Sequence, residues 1–163
     1  MNVEFIRILL AAGADPRLTT DDGTTPLMVA AGLGRCTNER TLKSGRRLPA
    51  AEEAVKLLLD SGAEVNAINE ADFTALHGAA FRGLNEVIQI LVDHGANINA
   101  RDYRGRTPYR LAQGNKQAFY FQEYPEAAEF LKTLGADPEA GLSGMAQERL
   151  RDVPTATVTK QQE

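Results

Sequence analysis

One cysteine and two histidines are all that the 163-residue chain offers of those two types. A lone Cys36 cannot close an internal disulfide, and no Cys/His spacing suits a structural zinc site, so neither device is expected to hold the fold together. Long apolar runs are missing as well. None approaches the roughly 20 residues that a bilayer crossing needs, and Met1–Leu10 carries Glu4 and Arg7, which makes it neither a spanning helix nor a signal peptide. No membrane span is therefore expected, and the compartment stays open with the cytoplasm as the default. A glycine-rich phosphate cradle is also lacking. "GLGRCT", from Gly32, contains G-x-G but no third glycine, and no phosphate-binding lysine loop accompanies it, so no nucleotide cofactor is expected.

What is present is ordinary for one globular unit: 43% apolar and 25% charged residues, with a net charge of −4. That charge gives no general reason to expect nucleic acid or anionic lipid as a partner. Its distribution is uneven. "RCTNERTLKSGRRLPA", residues 35–50, holds Arg35, Arg40, Lys43, Arg46 and Arg47 against Glu39 alone. A basic loop of this kind could serve nucleic acid or lipid, but it has no aromatics interleaved with its cations, which makes a poor footprint.

The chain repeats itself. "TTPLMVAAGLG" from Thr24, "FTALHGAAFRG" from Phe73 and "RTPYRLAQGN" from Arg106 form one series. "LLAAGADP", "LLDSGAEVN", "LVDHGANIN" and "LKTLGADP" form another, with glycine at 13, 62, 95 and 135. Those glycines read as helix stops, since glycine takes the left-handed conformation cheaply. Thr25, Thr74 and Thr107 read as helix starts, with Pro26 and Pro108 placed where a missing N–H does no harm. From glycine to the next threonine the separation is 12 residues each time: Gly13 to Thr25, Gly62 to Thr74 and Gly95 to Thr107. From threonine to the closing glycine it is 37, 21 and 28, so two units carry insertions of 16 and 7 residues between their helices. A turn between antiparallel helices tolerates such additions, because each doubling of loop length costs only about 0.6 kcal/mol.

The middle unit, "NAINEADFTALHGAAFRGLNEVIQILVDHGA", resembles an ankyrin repeat, whose period is about 33 residues with a T-P-L-H-x-A signature. The signature is complete nowhere, reading TPLM at Thr25, TALH at Thr74 and TPYR at Thr107, and Asp72 stands where the hairpin usually has glycine. The resemblance implies an all-α solenoid: helix-turn-helix units joined by projecting β-hairpin loops and stacked so that neighbours share a core. Periodicity agrees independently, since Val87, Ile88, Leu91 and Val92 form one apolar face, as do Val55, Leu58 and Leu59. The expected layout is an array over residues 1–138, with insertions near 35–50 and 115–124 and a partly disordered tail over 139–163. "VEFIRILLAAGAD" reads as a second helix without its own first helix, so residues 1–12 are expected to pack on upstream repeats or on another subunit.

Catalytic groups are sparse. His77 stands where the family's imidazole bonds to the neighbouring threonine and backbone, and His94 precedes a helix-ending glycine, so both are read as structural. Asp21 and Asp22 are read as a solvated turn, and Cys36 as a surface thiol. No enzyme activity is expected, and no metal or other cofactor. Proteins of the resembled family bind other proteins through hairpin tips and the exposed ends of the first helices, which makes another protein the expected partner. Carried onto this chain unit by unit, the contact positions are Asp22, Glu70, Phe73, Phe81, Arg82, Tyr103, Arg104 and Arg106, rich in the aromatic and arginine types that dominate interface energies. The alternative is a regulatory or targeting segment of a larger enzyme or secreted protein.

"NKQAFYFQEYPE" gathers four of the ten aromatics inside the last insertion. Two readings stay open. The aromatics fold back onto the last helix pair, or Tyr120, Phe121 and Tyr124 join Arg46 and Arg47 from the basic loop, on the same edge of the stack, as a second surface.

Overall fold

The computed structural model describes residues 2–33, 48–114 and 123–141. Seven helices occur among them and no strand: α1 (Val3–Ala11), α2 (Pro26–Ala30), α3 (Pro49–Asp60), α4 (Ala75–Phe81), α5 (Asn85–Asp93), α6 (Pro108–Ala112) and α7 (Pro125–Thr133). The three threonines begin α2, α4 and α6. Each has an extended backbone and accepts from the amide three residues on, at Met28, His77 and Arg110, which satisfies one of the orphan donors of the first turn. At the four predicted stops, Gly13, Gly62, Gly95 and Gly135 all have positive φ, between 84° and 100°. Both anchors of the repeat are therefore conformational devices.

Short helices alternate with longer ones. The short α2, α4 and α6 pack in one row, α1, α3, α5 and α7 in a second, and each short helix also packs on the long helix that follows it. One apolar core runs the length of this double row, from Leu27 and Val55 through Leu76, Ile88 and Leu91 to Leu131. Leu59 and Val92, both expected in the apolar faces, are half-buried at its margin. Alanine pairs (Ala30–Ala31, Ala79–Ala80) let the short helices approach closely, and Gly78 takes this furthest: a Cβ there would lie 3.0 Å from the Leu33 nitrogen.

The loops past each stop are tied to the next unit. Four residues beyond the glycine, Arg17 donates through Nε to the Gly62 carbonyl at 3.2 Å, Asn66 donates to the Gly95 carbonyl at 3.0 Å, and Asn99 accepts from the Asp137 amide at 2.9 Å. The last tie shows that the array's pattern continues past Gly135. Most of the expected insertions (35–50 and 115–124) and of the tail (139–163) lies outside the described residues; of the first insertion, Pro49 and Ala50 begin α3.

Candidate functional site: the row of hairpin tips

Between each stop and the next threonine, the constant connection folds into a tight loop. Backbone bonds close the three loops at equivalent positions: Thr20 N to Thr24 O at 3.1 Å, Asn69 N to Phe73 O at 3.2 Å and Asp102 N to Arg106 O at 3.0 Å. A residue with positive φ follows each tip: Gly23 at 77°, Asp72 at 54° and Gly105 at 72°. Asp72 is the only non-glycine residue with positive φ among the described residues, and aspartate bears that conformation better than most.

Side chains hold the loops from within. Asn69 Oδ1 accepts from the amides of Ala71 and Phe73, each at 3.0 Å, and Asp102 Oδ1 accepts from Arg104 at 2.9 Å and Arg106 at 2.8 Å. The first loop has Thr20 at this place, and Asp22 substitutes from inside the turn, accepting from the Thr20 and Thr24 hydroxyls and from the Thr24 amide. The Thr20 hydroxyl bond, followed by those of Thr24, holds the Asp22 carboxyl below the ordinary carboxylate range.

The loops also bond to one another. Glu70 N donates to Asp22 O at 2.9 Å, Tyr103 N to Ala71 O at 3.1 Å, and Asn69 Nδ2 to Thr24 Oγ1 at 3.1 Å. Three tips thus form one connected edge, and a shallow notch of about 330 Å³ opens there between Asp22, Asn69, Glu70, Ala71 and Tyr103.

The expected contact residues divide into two groups on this frame. Asp22, Glu70, Phe81 and Tyr103 are exposed, with Phe81 and Tyr103 each at 46% despite their size. Arg104 is half-buried, its guanidinium 5.1 Å from the Tyr103 ring centre and its Nε donating to the Tyr103 hydroxyl at 2.6 Å. Phe73 is half-buried against His77, edge to face at 5.5 Å. Arg82 and Arg106, placed in the contact row by the sequence reading, are buried instead. Arg106 pairs with the fully buried Asp102 carboxylate at 2.7 Å, and the Arg82 stem lies against Gly32. Neither side chain is presented to solvent along the row.

Of the residues named for a second surface, only Tyr124 lies within the described residues, and of the two open readings its burial fits the one in which the aromatics fold back. Its ring is 3% exposed and covers Gly83 so closely that a Cβ on that glycine would overlap it. Tyr124 is core, which the 3.6-residue pattern alone could not reveal because it stands just before α7 rather than inside it. Arg46, Arg47, Tyr120 and Phe121 lie outside the described residues.

His77 shows what the threonine-histidine pair does in the middle unit. Its Nδ1 accepts from the Thr74 amide at 3.1 Å, which leaves Nε2–H to donate to the Arg106 carbonyl of the next loop at 3.2 Å. Burial pushes its pKa down, against the smaller opposing effect of the Arg106 carbonyl. Both nitrogens of the neutral ring are engaged in tying one helix start to the adjacent hairpin. Among the described residues no cluster of three or more His, Cys, Asp or Glu side chains could hold a metal ion.

A family model for ankyrin repeats in three copies matches residues 48–141, and a single-repeat model matches residues 22–70. The chain belongs to the ankyrin repeat family. It is also 37% identical over 139 residues to the human protein "Ankyrin repeat and SOCS box protein 16". That alignment takes in 84% of this chain and 27% of the relative, so the chain spans about a quarter of the length of the curated protein it matches. Ankyrin repeats generally serve as protein interaction modules, and no helix among the described residues is long and apolar enough to cross a membrane.

Proposed function

We propose that this array is a non-catalytic adaptor that binds a partner protein along the connected edge of hairpin tips and the adjoining end of α4. The observation that carries the reading is the contrast within that edge. Phe81 and Tyr103 keep nearly half their surface in water while the loops beneath them are fixed by side-chain and inter-loop hydrogen bonds. Large aromatics on a rigid backbone lose little entropy on binding, which is what an interface anchor requires.

Charge changes along the edge. Asp22 and Glu70 line the notch beside Tyr103, whereas the third loop carries Arg101 and Arg104. A partner segment matching this row carries cationic side chains opposite the first two tips and acidic ones opposite the third. Catalysis is not part of the reading, since the buried His77 is committed to structural bonds at both nitrogens. Residues 1–12 are assigned no role in this interface.

The test is affinity capture with the intact chain beside a Glu70→Ala/Phe81→Ala/Tyr103→Ala variant that has the same circular dichroism. The partner held by the parent should bind the variant at least about tenfold more weakly. Equal retention of the same partner by both would overturn the assignment of this surface.

A further inference from the structure

We infer that the notch between the three hairpin tips seats one arginine side chain of the partner segment, its guanidinium lying against the Tyr103 ring and donating to the carboxylates of Asp22 and Glu70. The inference rests on the reading of this edge as the partner-binding surface and names the chemistry of one of its contacts. The notch, about 330 Å³, is lined by those three residues together with Asn69 and Ala71.

The two carboxylates have no cation of their own. Asp22 accepts from the Thr20 and Thr24 hydroxyls and from the Thr24 amide, all neutral donors, which take three of the roughly four lone-pair sites that a carboxylate offers. One site on Oδ2 stays open. The same hydroxyls, Thr20 first, hold the group in its charged form. Glu70 is exposed, and its carboxylate has no hydrogen-bond or ion-pair partner among the described residues. Two carboxylates, one of them nearly saturated, make a poor cage for a hard metal ion, which takes six or more oxygens. An organic cation needs fewer acceptors.

Tyr103 selects among organic cations. Its hydroxyl accepts from Arg104 Nε at 2.6 Å and the Arg104 guanidinium lies 5.1 Å from the ring centre, yet 46% of the residue stays in water. The ring thus has a surface left for a second planar cation. Guanidinium stacks on an aromatic face and forks between two acceptors, whereas an ammonium is a strongly hydrated point charge that does neither as well. The frame is fixed before a partner arrives. Glu70 N bonds to Asp22 O at 2.9 Å and Tyr103 N to Ala71 O at 3.1 Å, and Asn69 Nδ2 joins Thr24 Oγ1, so the three tips keep their spacing at no cost on binding.

The probe is the tripeptide acetyl-Gly-Arg-Gly-amide, titrated at fixed ionic strength into the full 163-residue chain with backbone-amide NMR detection. The same peptide with lysine, or with the neutral isostere citrulline, runs beside it. Saturable shifts are expected at Glu70, Ala71 and Tyr103, with a dissociation constant on the order of 10 mM. Binding should be at least about threefold weaker with lysine and absent with citrulline. Glu70→Gln and Tyr103→Leu should each weaken the arginine peptide by about threefold or more. The lysine and citrulline comparisons use the unaltered chain, so they decide the matter even where a variant fails to fold. Absence of localised shifts up to about 100 mM arginine peptide, or equal binding of the lysine peptide, would overturn the inference. If the Glu70→Ala/Phe81→Ala/Tyr103→Ala variant still loses the partner in affinity capture, the hairpin edge then stands as the interface without an arginine in its notch. Arginine-peptide binding combined with equal partner retention by that variant would overturn the inference too, because the partner would not supply the cation.

Discussion

His77 and Asp72 sit five residues apart and show opposite uses of a single side chain. The imidazole is fully buried and neutral, with its pKa pushed below the ordinary 6.5 chiefly by desolvation. The unfolded chain takes up a proton as pH falls through about 6.5 while the folded chain resists it, so stability is fully present above that range and is lost below it. Thermal melts between pH 7.5 and 5.5 should show a falling midpoint, and His77→Gln should flatten the trend. Asp72, by contrast, pays a conformational cost at φ 54° that its counterparts Gly23 and Gly105 avoid. Asp72→Gly should raise stability by about 0.5 kcal/mol in urea denaturation, the relief of left-handed strain exceeding the added freedom of the unfolded chain.

The hairpin is the element on which the proposed recognition depends, and its weakest point is electrostatic. Asp102 accepts two turn amides and pairs with Arg106, and neither side chain has more than 10% of its surface in water. Removing the carboxylate leaves a buried guanidinium without its counter-charge, so Asp102→Ala should cost about 3–5 kcal/mol. The neighbouring joint depends on shape instead. Gly83, at φ 64°, lies under the Tyr124 ring, so Gly83→Ala meets both a disfavoured backbone and a clash. A loss of about 2–3 kcal/mol is expected, falling to about 1 kcal/mol in a Tyr124→Ala background where only the backbone term remains. Equal costs in both backgrounds, measured by chemical denaturation, would show that Tyr124 does not press on this glycine.

Across the whole molecule, stability is graded along the stack because each unit touches only its neighbours. α1 has no buried residue, whereas α5 buries Val87, Ile88, Ile90 and Leu91. Native-state hydrogen exchange should therefore show α1 amides opening at several kcal/mol lower free energy than those of α5. A partner on the hairpin tips would protect residues 69–73 and 102–106.

The sequence by itself determined the period, the helix starts at Thr25, Thr74 and Thr107, and the stops at the four glycines, because caps and left-handed turns depend on a few adjacent residues. It also named most of the hairpin row, since positions on a fixed-length loop can be counted. Only the tertiary structure decided which of those side chains face water. Arg82 and Arg106 turn inward because a neighbouring glycine and a carboxylate four residues away receive them, and Tyr124 enters the core because Gly83, distant in sequence, leaves room for its ring. Burial is a property of what lies alongside, and no local pattern can state it.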